Sequence, residues 1–241
     1  MKSYSEIKQL SMPKSKEAWA KMDLIPHYIE RPVSYVITSV LLETGVTANF
    51  VSLVSLLFCV VSLLLIVFLQ SFPAKIISWA FLFLWSIADC VDGNIARIKK
   101  TTGVSGELWD AVAGYTAMSC LFINSGILAY QDASPLIKLP IQPAYYILLG
   151  SLSAVVSLLP RVLIHKKTTL TQSKEAASNF KDRTSFSFTK IVATNVMSIT
   201  GLALFALLFS ILLRMENIYV IFYFSANLLI CIYSLYITLK N

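Results

Sequence analysis

Trp79-Ala-Phe-Leu-Phe-Leu-Trp-Ser-Ile-Ala-Asp89-Cys-Val-Asp92-Gly93-Asn-Ile-Ala96-Arg97 is an apolar run of bilayer length whose last turns carry two carboxylates. Eight residues later, Gly106-Glu-Leu-Trp-Asp110 opens another apolar run and adds a third. An ionised carboxylate at membrane depth costs about 2.5–3.5 kcal/mol on insertion scales, so three kept close together predict a cation among them. A metal ion is the simplest candidate.

The surrounding composition decides the fold class. The chain has 241 residues, 56% hydrophobic and only 14% charged, and it contains several uncharged runs of twenty residues or more without the alternation of strands. The expectation is an all-α polytopic membrane protein with six transmembrane helices. They are predicted over Ala48–Gln70, Ala74–Arg97, Gly106–Gln131, Ile141–His165, Phe186–Leu213 and Asn217–Leu239. Punctuation falls between them at Phe72-Pro73, at Lys99-Lys100, and at Pro140 and Pro143.

Residues 1–47 are expected to form a cytoplasmic, interfacial N-terminal arm, and residues 48–241 the six-helix catalytic domain. The arm lacks the compact apolar core and small-residue cleavage site of a signal peptide. From Trp19 to Thr44 it mixes aromatic and aliphatic residues with Lys21, Glu30, Arg31 and Glu43, which predicts an interfacial amphipathic helix with Pro32 at a start or kink. Pro32 to Leu42 is too short to span.

Orientation follows from the basic residues. With the N-terminus inside, the inner segments hold 17 Lys and Arg and the outer loops only Lys75, Lys138 and Arg214. That asymmetry places both termini in the cytoplasm. The net charge of +7 then sits where anionic headgroups or phosphorylated substrates are met, and it needs no nucleic acid. Cys59, Cys90, Cys120 and Cys231 lie in predicted spans without ligand spacing and read as small buried residues. His27 and His165 read as interfacial polar residues, His165 at the cytoplasmic end of a span.

On a helix, Asp89, Asp92, Gly93 and Ala96 share one face, and Arg97 follows at the cytoplasmic end, within reach of phosphate. Glu107 and Asp110 share a face of the next span. Carboxylates from two helices make a hard oxygen site for Mg²⁺ or Mn²⁺, able to neutralise the phosphates of a nucleotide diphosphate. A packing network of these acids with Arg97, Lys99 and Lys100 would not require the Gly and Ala spacing as well.

The pattern resembles that of the CDP-alcohol phosphotransferases (CDP-alcohol phosphatidyltransferases), membrane enzymes of phospholipid synthesis. Their D-x-x-D-G-x-x-A-R, eight residues, G-x-x-x-D-x-x-x-D is matched from Asp89 through Asp110. The resemblance implies that Asp89, Asp92 and Asp110 bind divalent cation, that Gly93, Ala96 and Gly106 make room for the cytidine nucleotide, and that Arg97 contacts phosphate. Thr47-Ala48-Asn49-Phe-Val-Ser52 is similar to the family's T-P-N-x-x-T start of the first span, which gives Thr47 and Asn49 a nucleotide role. Arg161, Lys166, Lys181, Arg183 and Lys190 lie where some members bind an acceptor phosphate; positive-inside anchoring accounts for them equally.

The last motif position departs. Where the family has an Asp that ligates metal and serves as general base, this chain has Gly114. Either the acceptor is already anionic, or another residue stands in (Glu107, with Tyr115 and His165 behind it), or the chain keeps its nucleotide site without transfer activity. The expected function is metal-dependent transfer of a phosphate-linked alcohol group from a CDP-linked donor, with release of CMP, in phospholipid or envelope-lipid synthesis. The alternative is a catalytically weak CDP- or lipid-binding membrane protein. A cation pathway is disfavoured because the acids cluster at one membrane face, and a polyprenyl transferase fits Gly93, Ala96 and Arg97 less well. Expected partners are the CDP-linked donor, a lipid or phosphorylated acceptor and membrane lipids, with a homodimer left open. The expected place is a bacterial cytoplasmic membrane with the site facing the cytoplasm.

Overall fold

The computed structural model describes residues 2–12, 17, 20–132, 134–171 and 187–240. Regular structure among them is helical, with no strand, as the apolar runs predict. Helix α1 (Tyr4–Ser11) starts on a capping box: the Ser3 hydroxyl accepts from the Glu6 N–H, and the Glu6 carboxylate accepts from the Ser3 N–H at 2.7 Å. A π-helical turn (Pro26–Glu30) runs into α2 (Arg31–Leu41), which holds Pro32 in its first turn, where a missing N–H is tolerated.

The long helices are α3 (Ala48–Phe68), α4 (Phe72–Lys99), α5 (Val104–Gln131) and α6 (Ala144–Thr171). After them come α7 (Phe188–Met197), α8 (Leu202–Leu213) and the long α9 (Glu216–Lys240). With 21 to 28 residues, the long helices measure about 31–42 Å at 1.5 Å per residue, enough to cross a hydrocarbon core. The chain is an all-α polytopic membrane protein.

The fifth predicted span, Phe186–Leu213, falls on two helices, α7 and α8. It is not one straight helix: α7 and α8 are bent by 61° at a break over residues 198–201. Ser198 is extended there, and its N–H bonds back to the Asn195 carbonyl at 3.2 Å. A Cβ on Gly201 would lie 2.9 Å from the Ser198 Cβ and 3.0 Å from the Asn195 carbonyl oxygen, so the turn requires glycine. The expected first residue of that span, Phe186, lies outside the described residues.

The chain divides into two compact units. The first comprises Met1–Ser62, Trp79–Ala117 and Phe186–Leu204. Its apolar centre is Val51, Ile87, Val91 and Ile95, flanked by Leu41, Leu42, Val46, Ala48, Phe83 and Ala88. The arm is bound into this unit by polar contacts. Asn195 of α7 donates to the Met22 carbonyl (2.7 Å) and accepts from the Leu24 N–H (2.9 Å). Asn94 of α4 donates to the hydroxyls of Ser34 (3.0 Å) and Thr38 (3.2 Å) on α2.

The second unit comprises Leu63–Ser78, Met118–Ser185 and Phe205–Asn241. Here α5 and α6 meet backbone to backbone. A Cβ on Gly126 would lie 2.6 Å from the Tyr146 carbonyl oxygen, and one on Gly150 would lie 2.5 Å from that of Phe122. Small residues that let helices approach this closely are a common basis of packing in lipid, where apolar burial adds little. Lys75, expected in an outer loop, lies inside α4 and is buried in an ion pair with Glu216 at 3.1 Å.

Candidate active site

The two halves of the acidic motif are brought together by the way α4 ends. Lys100 adopts a left-handed conformation (φ 55°), and the Thr101 N–H reaches back to the Ala96 carbonyl at 3.0 Å. That six-to-one bond closes the helix and turns the chain sharply, and α5 begins at Val104. The eight residues between Arg97 and Gly106 are the last residues of α4, this turn, and the start of α5.

A cavity of about 210 Å³ opens beside the turn. Asp92, Gly93, Ala96 and Arg97 of α4 line it, with Gly106, Glu107 and Asp110 of α5, Asn49 and Ser52 of α3, and Thr101 to Gly103 of the turn. Asp92 is buried, Glu107 and Asp110 are exposed, and Arg97 is exposed at the rim. The Ser52 hydroxyl donates to Asp92 Oδ2 at 2.5 Å. A Cβ on Gly93 would lie 3.0 Å from both terminal nitrogens of Arg97, so the missing side chain leaves room for the guanidinium to fold back over α4. Arg97 in turn donates to Asn94 Oδ1 at 3.0 Å, which links it to the residue that holds α2. On the α5 side, a Cβ on Gly106 would be 3.9 Å from Asn49 Oδ1, an ordinary contact.

Most of the predicted residues therefore surround one cavity. Asp89 is half-buried one turn deeper on α4 and is not among the lining residues, but it feels the charges of Asp92 and Asp110. Thr47 has a different local role: its hydroxyl accepts from the Phe50 N–H at 3.3 Å and so caps α3. Arg161 and Lys166 are exposed on α6 in the second unit, and Lys190 is exposed on α7 in the first. Lys181 and Arg183 lie outside the described residues.

Among the described residues, no three acids, histidines or cysteines already sit close enough to hold an ion. The donor set nevertheless suits one. Asp89, Asp92 and Asp110 are hard oxygen ligands that act electrostatically on one another, and the cavity they adjoin carries a single lining cation, Arg97. Mg²⁺ or Mn²⁺ matches that chemistry.

One lining residue, Ser52, and one buried carboxylate outside the cavity were not legible in the sequence. Ser52 shares a helix face with Asn49, a spacing that hints at it, but its bond to Asp92 spans forty residues of sequence. Glu30 is the other. It ends the π turn, is 0% exposed, and neither carboxylate oxygen has a hydrogen-bond partner. The neighbouring Ser86 hydroxyl donates instead to the Phe83 carbonyl at 2.9 Å. Burial pushes the Glu30 carboxyl up to about 7, with Ser86 and Arg31 pulling the other way. The sequence signal was the spacing Glu30, Ser34, Thr38: polar residues every four positions along a mostly apolar helix.

No curated protein matches the sequence. The profile of the CDP-alcohol phosphatidyltransferases matches residues 45–230, from just before α3 into α9, and so takes in both halves of the acidic motif while leaving the arm outside. That match covers most of the 241 residues, and the chain belongs to the CDP-alcohol phosphatidyltransferase family, whose members transfer a phosphate-linked alcohol group from a CDP-alcohol in phospholipid synthesis.

Proposed function

We propose that this chain is an active, metal-dependent member of the family, transferring a phosphate-linked alcohol group from a CDP-linked donor to an acceptor and releasing CMP. The observation that carries the reading is the shared cavity: residues of α3, α4 and α5 that match the motif line a single space. Asp89, Asp92 and Asp110 would hold Mg²⁺ or Mn²⁺, which when bound supplies positive charge against the donor phosphates. Arg97, free to swing from its place over Gly93, pairs with a phosphate oxygen. Gly93, Ala96 and Gly106 leave the wall low enough for a nucleotide to lie against the backbone. Asn49 offers an amide to the cytosine, and Thr47 supports it by holding the start of α3.

The acceptor is a lipid or a phosphorylated alcohol, with Arg161, Lys166, Lys181, Arg183 and Lys190 as its candidate anchors. The product is a phospholipid or an envelope lipid. The excess of Lys and Arg on one side of the predicted spans supports a site facing the cytoplasm of a bacterial cell.

The test is CMP release from CDP-diacylglycerol and other CDP-alcohols against a panel of acceptors, joined to calorimetry of cytidine nucleotides. Binding should depend on divalent cation and be lost on Asp92→Asn or Asp110→Asn. Affinity unchanged in EDTA and in both variants would overturn the metal site. Binding without CMP release for any acceptor would favour a CDP-binding protein without transfer activity.

A further inference from the structure

Gly93 lies one turn before Arg97 on the same face of α4, and the guanidinium folds back into the space that a side chain at 93 would fill. A Cβ there would be 3.0 Å from both terminal nitrogens. Gly93 also lines the cavity, and in the nucleotide reading its bare backbone is where the ligand lies. One place therefore suits two occupants, the guanidinium and the nucleotide.

What holds the guanidinium there is Asn94, whose Oδ1 accepts from Arg97 at 3.0 Å. Position 94 is one that the motif leaves open, and its side chain is buried outside the cavity lining. The arm decides which way the amide points. Ser34 commits its single hydroxyl proton to the Arg31 carbonyl at 2.8 Å, so toward Asn94 it can act as an acceptor alone. The amide must present its NH₂ to Ser34 (3.0 Å) and Thr38 (3.2 Å), which turns its oxygen to Arg97. Ser34, Thr38, Asn94 and Arg97 thus form one chain of direct bonds within the first unit.

We propose that Asn94 is a positioning residue: steered by the arm's hydroxyls, it parks Arg97 over Gly93, and a donor phosphate has to draw the guanidinium away before the nucleotide lies there. The assignment rests on the nucleotide site proposed above. Relative strength decides the exchange. The amide offers one neutral oxygen, whereas a phosphate offers negative charge and two oxygens that match the guanidinium fork, so the phosphate wins. Its margin is reduced by the bond to Asn94 that breaks, and docking of the arm on α4 therefore sets how tightly the cavity takes a cytidine nucleotide.

The experiment measures CDP affinity with Mg²⁺ by calorimetry, kcat and KM for CDP-diacylglycerol, and melting temperature, in wild type, Asn94→Leu, Arg97→Ala and the double variant. Asn94→Leu removes the acceptor at similar volume and should bind CDP about tenfold tighter, the usual worth of a hydrogen bond to a charged group, with KM lowered in step. A residue that merely held the arm would give weaker binding on removal, not tighter. In the Arg97→Ala background the same change should leave CDP affinity where it was, since there is no guanidinium to release. Ser34→Ala with Thr38→Val leaves residue 94 intact but takes away its two acceptors. That pair should raise CDP affinity by a smaller factor, and it decides the matter if Asn94→Leu fails to fold. Folded variants that bind CDP no tighter than wild type would overturn the assignment, as would an equal gain for Asn94→Leu in the Arg97→Ala background. If wild type does not bind CDP, the nucleotide site falls and takes this assignment with it; a CDP-binding protein indifferent to Asn94 refutes this assignment alone.

Discussion

Ser52 has one hydroxyl proton and two acceptors in range, the Ala48 carbonyl at 3.2 Å and Asp92 Oδ2 at 2.5 Å. The shorter, charge-assisted contact is the stronger, so the proton points at Asp92 and holds its carboxylate in one rotamer. Groups that orient a ligand without touching the metal commonly matter by about 10- to 100-fold in affinity. Ser52→Ala should weaken cation-dependent cytidine binding by about that factor, and Ser52→Thr, which keeps the hydroxyl, should largely restore it; calorimetry distinguishes the two. At this scale much of the site was legible. Asp92, Gly93, Ala96, Arg97, Gly106 and Asp110, which line the cavity, were picked out by spacing along two helices, because a spacing of three or four residues brings side chains to one helix face without any tertiary information. Asp89, picked out with them, lies outside the lining. Ser52 was not picked out, since it acquires its place from a different helix.

Among the elements, the contact of α5 with α6 is the least forgiving. Gly126 and Gly150 face one another so closely that a Cβ on Gly150 would lie 2.8 Å from the Gly126 Cα. No flexible side chain is there to give way; the helix backbones themselves would have to separate. Gly150→Leu should therefore destabilise the protein by about 1–3 kcal/mol or more, as overpacking does, read as a lower melting temperature in detergent. Leu152→Ala, on an exposed position of the same helix, should change it far less. Helix existence was readable from apolar length, but the break between α7 and α8 was not. Its residues, Ser198 to Gly201, are weak helix formers yet are tolerated in many spans. What bends the chain is the packing of Gly201 against Ser198 and the Asn195 carbonyl, while the same Asn195 holds the arm.

At the scale of the whole molecule, the charge asymmetry and the motif make a joint statement. If the N-terminus and the Arg161–Lys190 segment are cytoplasmic, so is the turn at Lys100 and with it the cavity mouth. Cysteines placed at Lys100 and Lys166 should be labelled from the cytoplasmic side only; labelling of either from outside would reverse the orientation and the side of the proposed chemistry together. The sequence by itself determined the membrane class, the helical architecture and the family. Those rest on the length of apolar runs and on short-range spacing, both of which are local properties. Only the tertiary structure decided which faces meet: that Ser52 turns to Asp92 and that Asn94 clasps the arm. These pairings join residues forty to sixty positions apart, and they are chosen by packing among whole helices, which no local pattern encodes.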